Sequence, residues 1–432
     1  MNSRTSCSIP VALTTFLPAI VALTASAAAI GEDWSAFRGP HGNGVSDAVR
    51  VPVEWSADNN VAWKSPLPGR SNGSPVVSGN RILLTSATDE GHKRNLHCFD
   101  TSDGHSLWVR TAEFDKTMPT HETNQYGGST PATNGQYVLV WHGSAGLFCF
   151  DLDGQELWKQ DLGEFRHQWG YGTSPVIHGD RVILHTGPGK RVFVAAFRLK
   201  DGQPLWKAEE PVDGDGDYNS AKKYMGSWST PVIVSADGRD IAVCSLATRV
   251  NGYDVETGDI VWTCDGLSGD RGDLAYTSPV IAGDICVSMG GFKGPAVAFR
   301  MGGSGNITAE RRLWREDHNN PQRIGSGVFV GGHIYMANAG ANTIECIEPE
   351  TGKALWQERS PGAAHWGSLV LADGRLYTTD QEGTTVVFRP TPEKLDVLAV
   401  NRLNSPGNST PAVADHTIFI RTFESLYCIR EQ

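Results

Sequence analysis

Short apolar runs, separated by turns of polar residues and glycine, repeat along most of the chain. The clearest copy spans residues 149–158, where an apolar strand leads through an Asp-Gly turn to a second strand. In each clear copy a Trp follows the turn Gly by four residues, and copies recur with a period of roughly 40 to 56 residues. This period predicts a propeller or a solenoid. The Gly and Trp pairs are Gly104 and Trp108, Gly154 and Trp158, Gly202 and Trp206, Gly258 and Trp262, and Gly352 and Trp356.

A second signature, a Ser or Thr that is usually followed by Pro, opens each repeat. Pro is tolerated at the first residue of a strand, where the ladder does not need its missing N–H. A tight turn and another apolar strand follow, so each full copy has four short strands, named A to D in chain order. The eight opening residues are Ser74, Thr130, Ser174, Thr230, Ser278, Ser326, Ser368 and Thr410.

The two ends of the chain complement each other. The eighth copy stops after its third strand, whereas Trp63 ends a strand that has no partner before it. Pairing these two strands closes the ring and removes an open sheet edge. We therefore predict an all-β fold, an eight-bladed β-propeller of four-stranded antiparallel blades closed by the Trp63 strand in the last blade. The predicted segments are a signal peptide at 1–29, a leader at 30–59 and the propeller at 60–432.

The links from strand D to the next strand A are much longer than the other links, so one face carries long loops. Long loops on a rigid scaffold commonly carry function. Aromatic and polar residues stand just before strand A, and they are expected to ring the channel mouth. Two interpretations stay open, namely binding of a ligand or partner and packing that fills the channel. The candidate binding residues are Tyr126, Trp169, Tyr171, Trp228, Tyr276, Arg323, His365 and Trp366.

The N-terminus is typical of an export signal. Arg4 precedes an apolar run at 9–23 and small residues at 24–29, which predicts cleavage near Ala27 or Ala29. A transmembrane anchor is the alternative. We expect a periplasmic or extracellular protein with no membrane span after signal removal. The net charge of −11, without a Lys/Arg block, argues against binding to nucleic acid or to an anionic membrane surface.

Cysteines and carboxylates suggest no metal or catalytic site. Four of the seven cysteines after Cys7 share one repeat position on the predicted core face, which favours buried free thiols over disulfides. The carboxylates at 213–217 alternate as in a calcium loop, but Tyr218 and Tyr224 stand where such a loop needs Gly and Glu. A Gly/Asp-rich surface turn is therefore the favoured interpretation.

The Ala/Cys-x-Asp-x-x-x-Gly-x-x-x-Trp pattern resembles the tryptophan-docking repeat of the pyrroloquinoline-quinone (PQQ) propeller family, over roughly residues 60–430. The resemblance implies that the Trp residues of strand D, and Trp63, dock between neighbouring blades and are structural. Residues 34–46 are similar to a leader segment in many exported PQQ-like proteins of planctomycete-type bacteria.

The PQQ propeller family includes quinoprotein alcohol and glucose dehydrogenases, which bind PQQ and Ca²⁺, and non-enzymatic members such as the outer-membrane assembly lipoprotein. This sequence lacks the adjacent Cys-Cys pair of the former and the lipid-bearing Cys of the latter. We expect an exported binding or scaffold module whose long-loop face takes a protein partner or a small planar ligand. The alternative is a PQQ- and Ca²⁺-dependent oxidoreductase acting on an alcohol or sugar. Its candidate residues are Asp270, Arg271, Asp273 and Arg323.

Overall fold

The computed structural model of the chain describes Met1 and residues 33–317 and 321–431. The described residues form eight sheets of four antiparallel strands, A to D, around a central axis, which confirms the predicted eight-bladed propeller. Apart from Met1, the predicted signal segment 1–29 lies outside the described residues. Among the residues that are described, no helix has the length and hydrophobicity of a membrane span.

Blades 1 to 4 follow one another in chain order, each with the strand order A-B-C-D. The strands of blade 1 are Val76–Ser78, Arg81–Thr88, Lys93–Asp100 and Ser106–Glu113. Those of blade 2 are Ala132–Thr133, Tyr137–Trp141, Leu147–Asp151 and Glu156–Gln160. Those of blade 3 are Val176–His178, Arg181–His185, Val192–Arg198 and Pro204–Glu210. Those of blade 4 are Val232–Ala236, Arg239–Ser245, Arg249–Asp254 and Ile260–Asp265.

Blades 5 to 8 repeat this order. The strands of blade 5 are Val280–Ala282, Ile285–Met289, Ala296–Arg300 and Arg312–Glu316. Those of blade 6 are Val328–Val330, His333–Ala337, Thr343–Ile347 and Ala354–Arg359. Those of blade 7 are Val370–Ala372, Arg375–Thr379, Thr384–Arg389 and Asp396–Arg402. Those of blade 8 are Ala412–Ala414, Thr417–Arg421, Ser425–Ile429 and, as strand D, Val61–Pro66.

A few short strands and helical turns lie outside the four-stranded pattern of the blades. Tyr224–Ser227 and Gly272–Ala275 form a parallel pair in the long loops. Gly305–Asn306 adds a fifth strand to blade 4, and the single helical turn Thr308–Arg311 follows it. The 3₁₀ turns are Asp89–Gly91 and Gly143–Ala145.

The N-terminal strand closes the ring as predicted. Val61–Pro66 pairs antiparallel with Ser425–Ile429, and Trp63 lies opposite Cys428. Edge strands present unpaired backbone groups that invite aggregation. By pairing the first strand of the propeller with the last, the chain leaves no gap between blades 8 and 1.

A closed ring of hydrogen bonds joins all eight blades at the start of strand A. The backbone N–H of each opening Ser or Thr donates to the side-chain hydroxyl of the opening residue in the next blade, at 2.9–3.1 Å. The last bond, from Thr410 to Ser74, returns to blade 1. The side chain therefore has to be Ser or Thr, even in blades 6 and 7 where the following Pro is missing.

The repeated Gly and Trp are partners across neighbouring blades. The indole of Trp63 lies over Gly104 of blade 1, where an added Cβ would collide with the ring, and its Nε1 donates to the Thr101 carbonyl at 3.1 Å. Gly104 also has a φ of 72°, which suits glycine in its turn. The same indole-to-carbonyl bond joins Trp108 to Leu152, Trp158 to Leu199, Trp206 to Val255, Trp314 to Pro349 and Trp356 to Thr391.

The leader closes the channel on the face opposite the long loops. Its carbonyl groups accept hydrogen bonds from the third residue after the opening Ser or Thr in blades 1, 2 and 7, namely Val77, Thr133 and Leu371. Between these anchors the buried Arg38 donates to the carbonyls of Gly42, Asn43 and Gly327. Burial lowers the pKa of Arg38 to about 9, so the guanidinium stays charged at neutral pH. The leader therefore works as a plug held by backbone groups.

All seven cysteines in the described residues are free and buried, as predicted. Burial raises the pKa of Cys98 and Cys149 to about 12. Because the thiolate is the reactive form of cysteine, these thiols are inert packing groups.

The hydroxyl ring gives a direct test of its contribution to stability. We expect Ser368→Ala to lower the free energy of unfolding by about 1–3 kcal/mol, because the buried N–H of Ser326 loses its acceptor. Ser368→Thr is the matched control, since Thr fills the same position in blades 2, 4 and 8. Urea titration of both variants measures the difference. Equal stability of the Ala and Thr variants would show that the ring bonds contribute nothing.

Candidate functional site

A cavity of about 550 Å³ lies on the axis at the long-loop face. Each blade contributes the residue two positions before its opening Ser or Thr. Phe37 of the leader forms part of the lining, and the remaining wall comes from the long links, from several opening Ser and Thr residues and from Phe292 in the link between strands B and C of blade 5. The eight blade residues, in order, are Asn72, Gly128, Gly172, Trp228, Tyr276, Ile324, Trp366 and Asn408.

Alternation along an extended chain explains which side chains reach the cavity. In extended backbone, successive side chains point to opposite sides. The residue two before the opening Ser or Thr faces the axis, and the residue three before it is buried in every blade. The residue directly before the opening Ser or Thr is small, because the neighbouring blade is close. A Cβ on Gly367, for example, would lie 2.7 Å from the Ser409 carbonyl oxygen.

Four of the predicted site residues line the cavity. Trp228, Tyr276 and Trp366 hold the inward position of their blades, and Trp169 reaches the cavity from the loop before blade 3. All four side chains are half-buried. The structure thus brings together four of the six aromatic residues in the predicted set, and proximity to strand A does not decide which ones, since Trp169 stands farther from strand A than Tyr171.

Tyr126 and Tyr171 lie behind the cavity wall. Both rings pack on the guanidinium of the buried Arg94, with centroids 5.6 and 5.5 Å from its central carbon. The Tyr126 hydroxyl donates to the Met118 carbonyl at 2.6 Å, and the Tyr171 hydroxyl donates to the Tyr126 carbonyl. These two residues therefore stabilise the loop that carries the cavity wall.

Arg323 and His365 hold the buried position three before the opening residue. Arg323 pairs with Glu345, Nε to Oε1 at 2.8 Å, and both side chains are buried. His365 contacts the Ser360 and Thr378 hydroxyls, with 2.8 Å from Nε2 and 3.2 Å from Nδ1. The structure places both residues inside the blades and away from the cavity lining.

The aromatic side of the cavity is a fixed wall from blades 3 to 5. The Trp228 ring centroid lies 5.9 Å from that of Trp169 and 5.4 Å from that of Tyr276. Tyr224 packs on Trp169 at 4.7 Å. The Trp228 indole donates to the Gly170 carbonyl at 3.0 Å, which sets the orientation of the ring. Mutual packing thus holds these rings in place before any ligand arrives.

Amide side chains form the opposite side, which sequence reasoning missed. Asn72 of blade 1 and Asn408 of blade 8 both donate to the Thr123 carbonyl, at 2.8 and 3.2 Å. Asn124 donates to the Trp169 carbonyl at 2.7 Å. The Oδ1 atom of Asn72 is buried and has no hydrogen-bond partner within the described residues. The shared position two before the opening residue was the signal that identifies Asn72 and Asn408.

The cavity lining contains no acidic side chain and no Lys or Arg among the described residues. The nearby acidic loop uses its carboxylates for its own backbone: Asp213 accepts from the Ser220 N–H and Asp215 from the Tyr218 N–H. This arrangement agrees with the favoured turn interpretation. Nowhere in the described chain do three His, Cys, Asp or Glu side chains form a group that could hold a metal ion.

The sequence matches the family model described as outer membrane protein assembly factor BamB, over residues 92–358, 305–391 and 340–430. The chain belongs to this family. The resemblance to PQQ-like propellers seen in the repeat is therefore supported at the family level. Among curated proteins, none matches the chain in sequence.

Solved structures with the same fold include both BamB and quinoprotein enzymes. BamB from Moraxella catarrhalis has 13% identity and a TM-score of 0.56, covering 85% of this chain and 98% of that chain. A europium-containing methanol dehydrogenase has 12% identity and a TM-score of 0.66, covering 92% and 98%. The quinohemoprotein alcohol dehydrogenase from Comamonas testosteroni has 12% identity and a TM-score of 0.66, covering 93% and 81%. At these identities the likeness concerns the fold alone.

The cavity residues do not fit PQQ, the group that such dehydrogenases imply. PQQ is a flat quinone that bears carboxylates, and burying a carboxylate without a cation is costly. The cavity lining offers no Lys or Arg among the described residues. Arg323 is committed to Glu345, and Asp273 accepts a hydrogen bond from the Asn219 amide at 2.7 Å. Of the features of the cavity, only the aromatic wall suits PQQ, because it matches the flat ring system and not the carboxylates.

Buried neutral histidines behind the site make stability depend on pH. Burial lowers the pKa of His97, His185 and His365 to about 4. Below pH 6.5 the unfolded chain binds protons that the folded chain does not, so stability falls as pH drops from about 6.5 to about 4.

We expect urea titrations at pH 7.0 and 5.5 to show lower stability at the lower pH, with up to about 1.4 kcal/mol per pH unit for each such histidine. His365→Gln should flatten this dependence, and His121→Gln, whose ring is exposed, should leave it unchanged. An unaltered slope in the His365 variant would contradict the assignment.

Proposed function

We propose that the protein is an exported binding or scaffold module that captures a ligand or a protein partner in the cavity of its long-loop face. The observation that carries the proposal is the pre-arranged aromatic wall of Trp169, Trp228 and Tyr276 facing Trp366. Half-buried aromatic rings supply contact area at low cost in conformational entropy. Recognition then occurs by contact on a rigid ring, without bond chemistry.

Two further facts support a binding role over an enzymatic one. The aromatic residues pack on each other and on the loop backbone, so a ligand meets a surface that is already ordered. His121 lines the cavity, but no Asp, Glu, Lys or Arg among the described lining residues accompanies it for proton transfer. By its family the chain is also similar to BamB, whose name describes an outer membrane assembly factor. A protein partner at the loops is thus one form of the proposal.

Export is part of the proposal and has its own test. We expect the mature protein to begin just after Ala27 or Ala29, because small residues precede both positions. N-terminal sequencing of the protein isolated from the source cells measures this. A mature chain that still begins at Met1 would contradict export by cleavage.

The binding role is tested with paired variants. We expect Trp228→Ala and Trp366→Ala to weaken capture of the bound ligand or partner at least tenfold, because each removes a half-buried contact ring. Affinity purification from cell-envelope extract, with quantitative mass spectrometry of what is retained, measures the loss. Leu107→Ala, an exposed residue on an outer strand, is the control. If both Trp variants retain everything that the unmodified protein retains, the cavity is not the binding site.

A second candidate function is that of a PQQ- and Ca²⁺-dependent oxidoreductase acting on an alcohol or sugar. Its support is the fold that the chain shares with quinoprotein dehydrogenases. The decisive experiment adds PQQ and Ca²⁺ to the purified protein and records dye reduction with alcohols and glucose. The binding role predicts no dye reduction. Turnover that depends on added PQQ would favour the enzyme instead.

A further inference from the structure

The cavity has two chemically different halves that face each other across the axis. In a ring of eight blades, blade 4 lies opposite blade 8, and blade 5 lies opposite blade 1. Trp228 and Tyr276, from blades 4 and 5, therefore face Asn408 and Asn72, from blades 8 and 1. A ligand on the axis meets the rings of Trp228 and Tyr276 on one side, and on the other side it meets amide groups with the ring of Trp366 beside them.

The polar half is built to exchange hydrogen bonds and carries no charged group among its described residues. Asn408 lines the cavity and uses one of its two amide N–H groups on the Thr123 carbonyl, so the other N–H is available to a ligand acceptor. Gln322 lines the cavity from blade 6, and its side-chain amide makes no hydrogen bond to other described residues. Such amides accept and donate, which suits hydroxyl groups. A charged ligand would lose its hydration without gaining an ion pair.

We infer that the cavity binds a neutral oligosaccharide, with a sugar ring stacked on the aromatic half and its hydroxyl groups bonded to the amide half. A sugar ring has an apolar C–H face and a rim of hydroxyls, and this two-sided character matches the two halves of the cavity. The volume of about 550 Å³ lies within the range of small-molecule sites, about 300–1,000 Å³. The inference rests on the proposed function and names its ligand class.

The shape of the site favours the end of a glycan over a threaded chain. Phe37 lines this cavity and also a second cavity, of about 220 Å³, that lies beneath it. The leader therefore forms the floor of the site, and a ligand enters from the long-loop face only. A peptide or an apolar planar compound would use the aromatic half and leave the amide of Gln322 unpaired.

The experiment is calorimetric titration of the full mature chain with short neutral oligosaccharides, namely maltotriose, cellotriose and chitotriose. Oligogalacturonate serves as the charged comparison and a neutral aromatic dye as the planar one. We expect saturable binding of at least one neutral oligosaccharide, with weaker or no binding of oligogalacturonate. Trp228→Ala and Gln322→Leu should each weaken it at least tenfold. Leu107→Ala should not change it, and thermal unfolding confirms that each variant is folded.

The outcomes separate this inference from the proposed function. If only the dye binds, and Gln322→Leu leaves its affinity unchanged, the saccharide assignment is overturned while a binding role for the aromatic wall stands. If none of the probes binds, yet Trp228→Ala still abolishes capture of a protein from envelope extract, the saccharide assignment likewise fails alone. If a saccharide binds but neither variant weakens it, both the assignment and the cavity as binding site are wrong.

Discussion

A ring of backbone N–H to hydroxyl bonds fixes the geometry of the whole molecule. Each blade offers one buried donor and one hydroxyl acceptor at the start of strand A, and the eighth bond returns to the first blade. Because a buried donor without an acceptor is costly, the chain is held to Ser or Thr at eight positions. The ring also sets the spacing of the residues just before it. The cavity lining is therefore a direct product of the ring.

The contacts between the Trp residues of strand D and the turn glycines, here called the outer girdle, complement this inner ring. Each indole of Trp63, Trp108 and Trp158 lies over the turn glycine of the next blade, so the repeated Gly and the repeated Trp form one contact between neighbouring blades. Blade 4 departs from the pattern because the insertion of blade 5 adds strand Gly305–Asn306 beside Trp262. Trp262 is consequently fully buried. Strand lengths and the girdle Trp thus vary among the blades, while the inner ring stays constant.

The fold was predictable because its signals repeat. The surplus strand at Trp63 and the missing strand after Cys428 specified the closure. The site was predictable only in part. The sequence showed the aromatic residues Trp228, Tyr276 and Trp366 just before strand A. Because successive side chains of an extended chain point to opposite sides, however, Tyr171, Arg323 and His365 point into the blades. The place of the leader in the fold could not be predicted, since residues 33–46 occur once and their anchors to blades 1, 2 and 7 are carbonyl groups, which leave no mark on side-chain identity.

The closure of the ring has a consequence for how the protein is made. The strand that completes the final blade, Val61–Pro66, is synthesised before all the other strands of the propeller, and its partner, Ser425–Ile429, is synthesised after all of them. Until then the final blade has no strand D, and contacts between distant parts of a sequence form slowly. Loss of Ser425–Ile429 therefore removes the partner of the Trp63 strand. Such a truncated chain is expected to be recognised as misfolded and degraded.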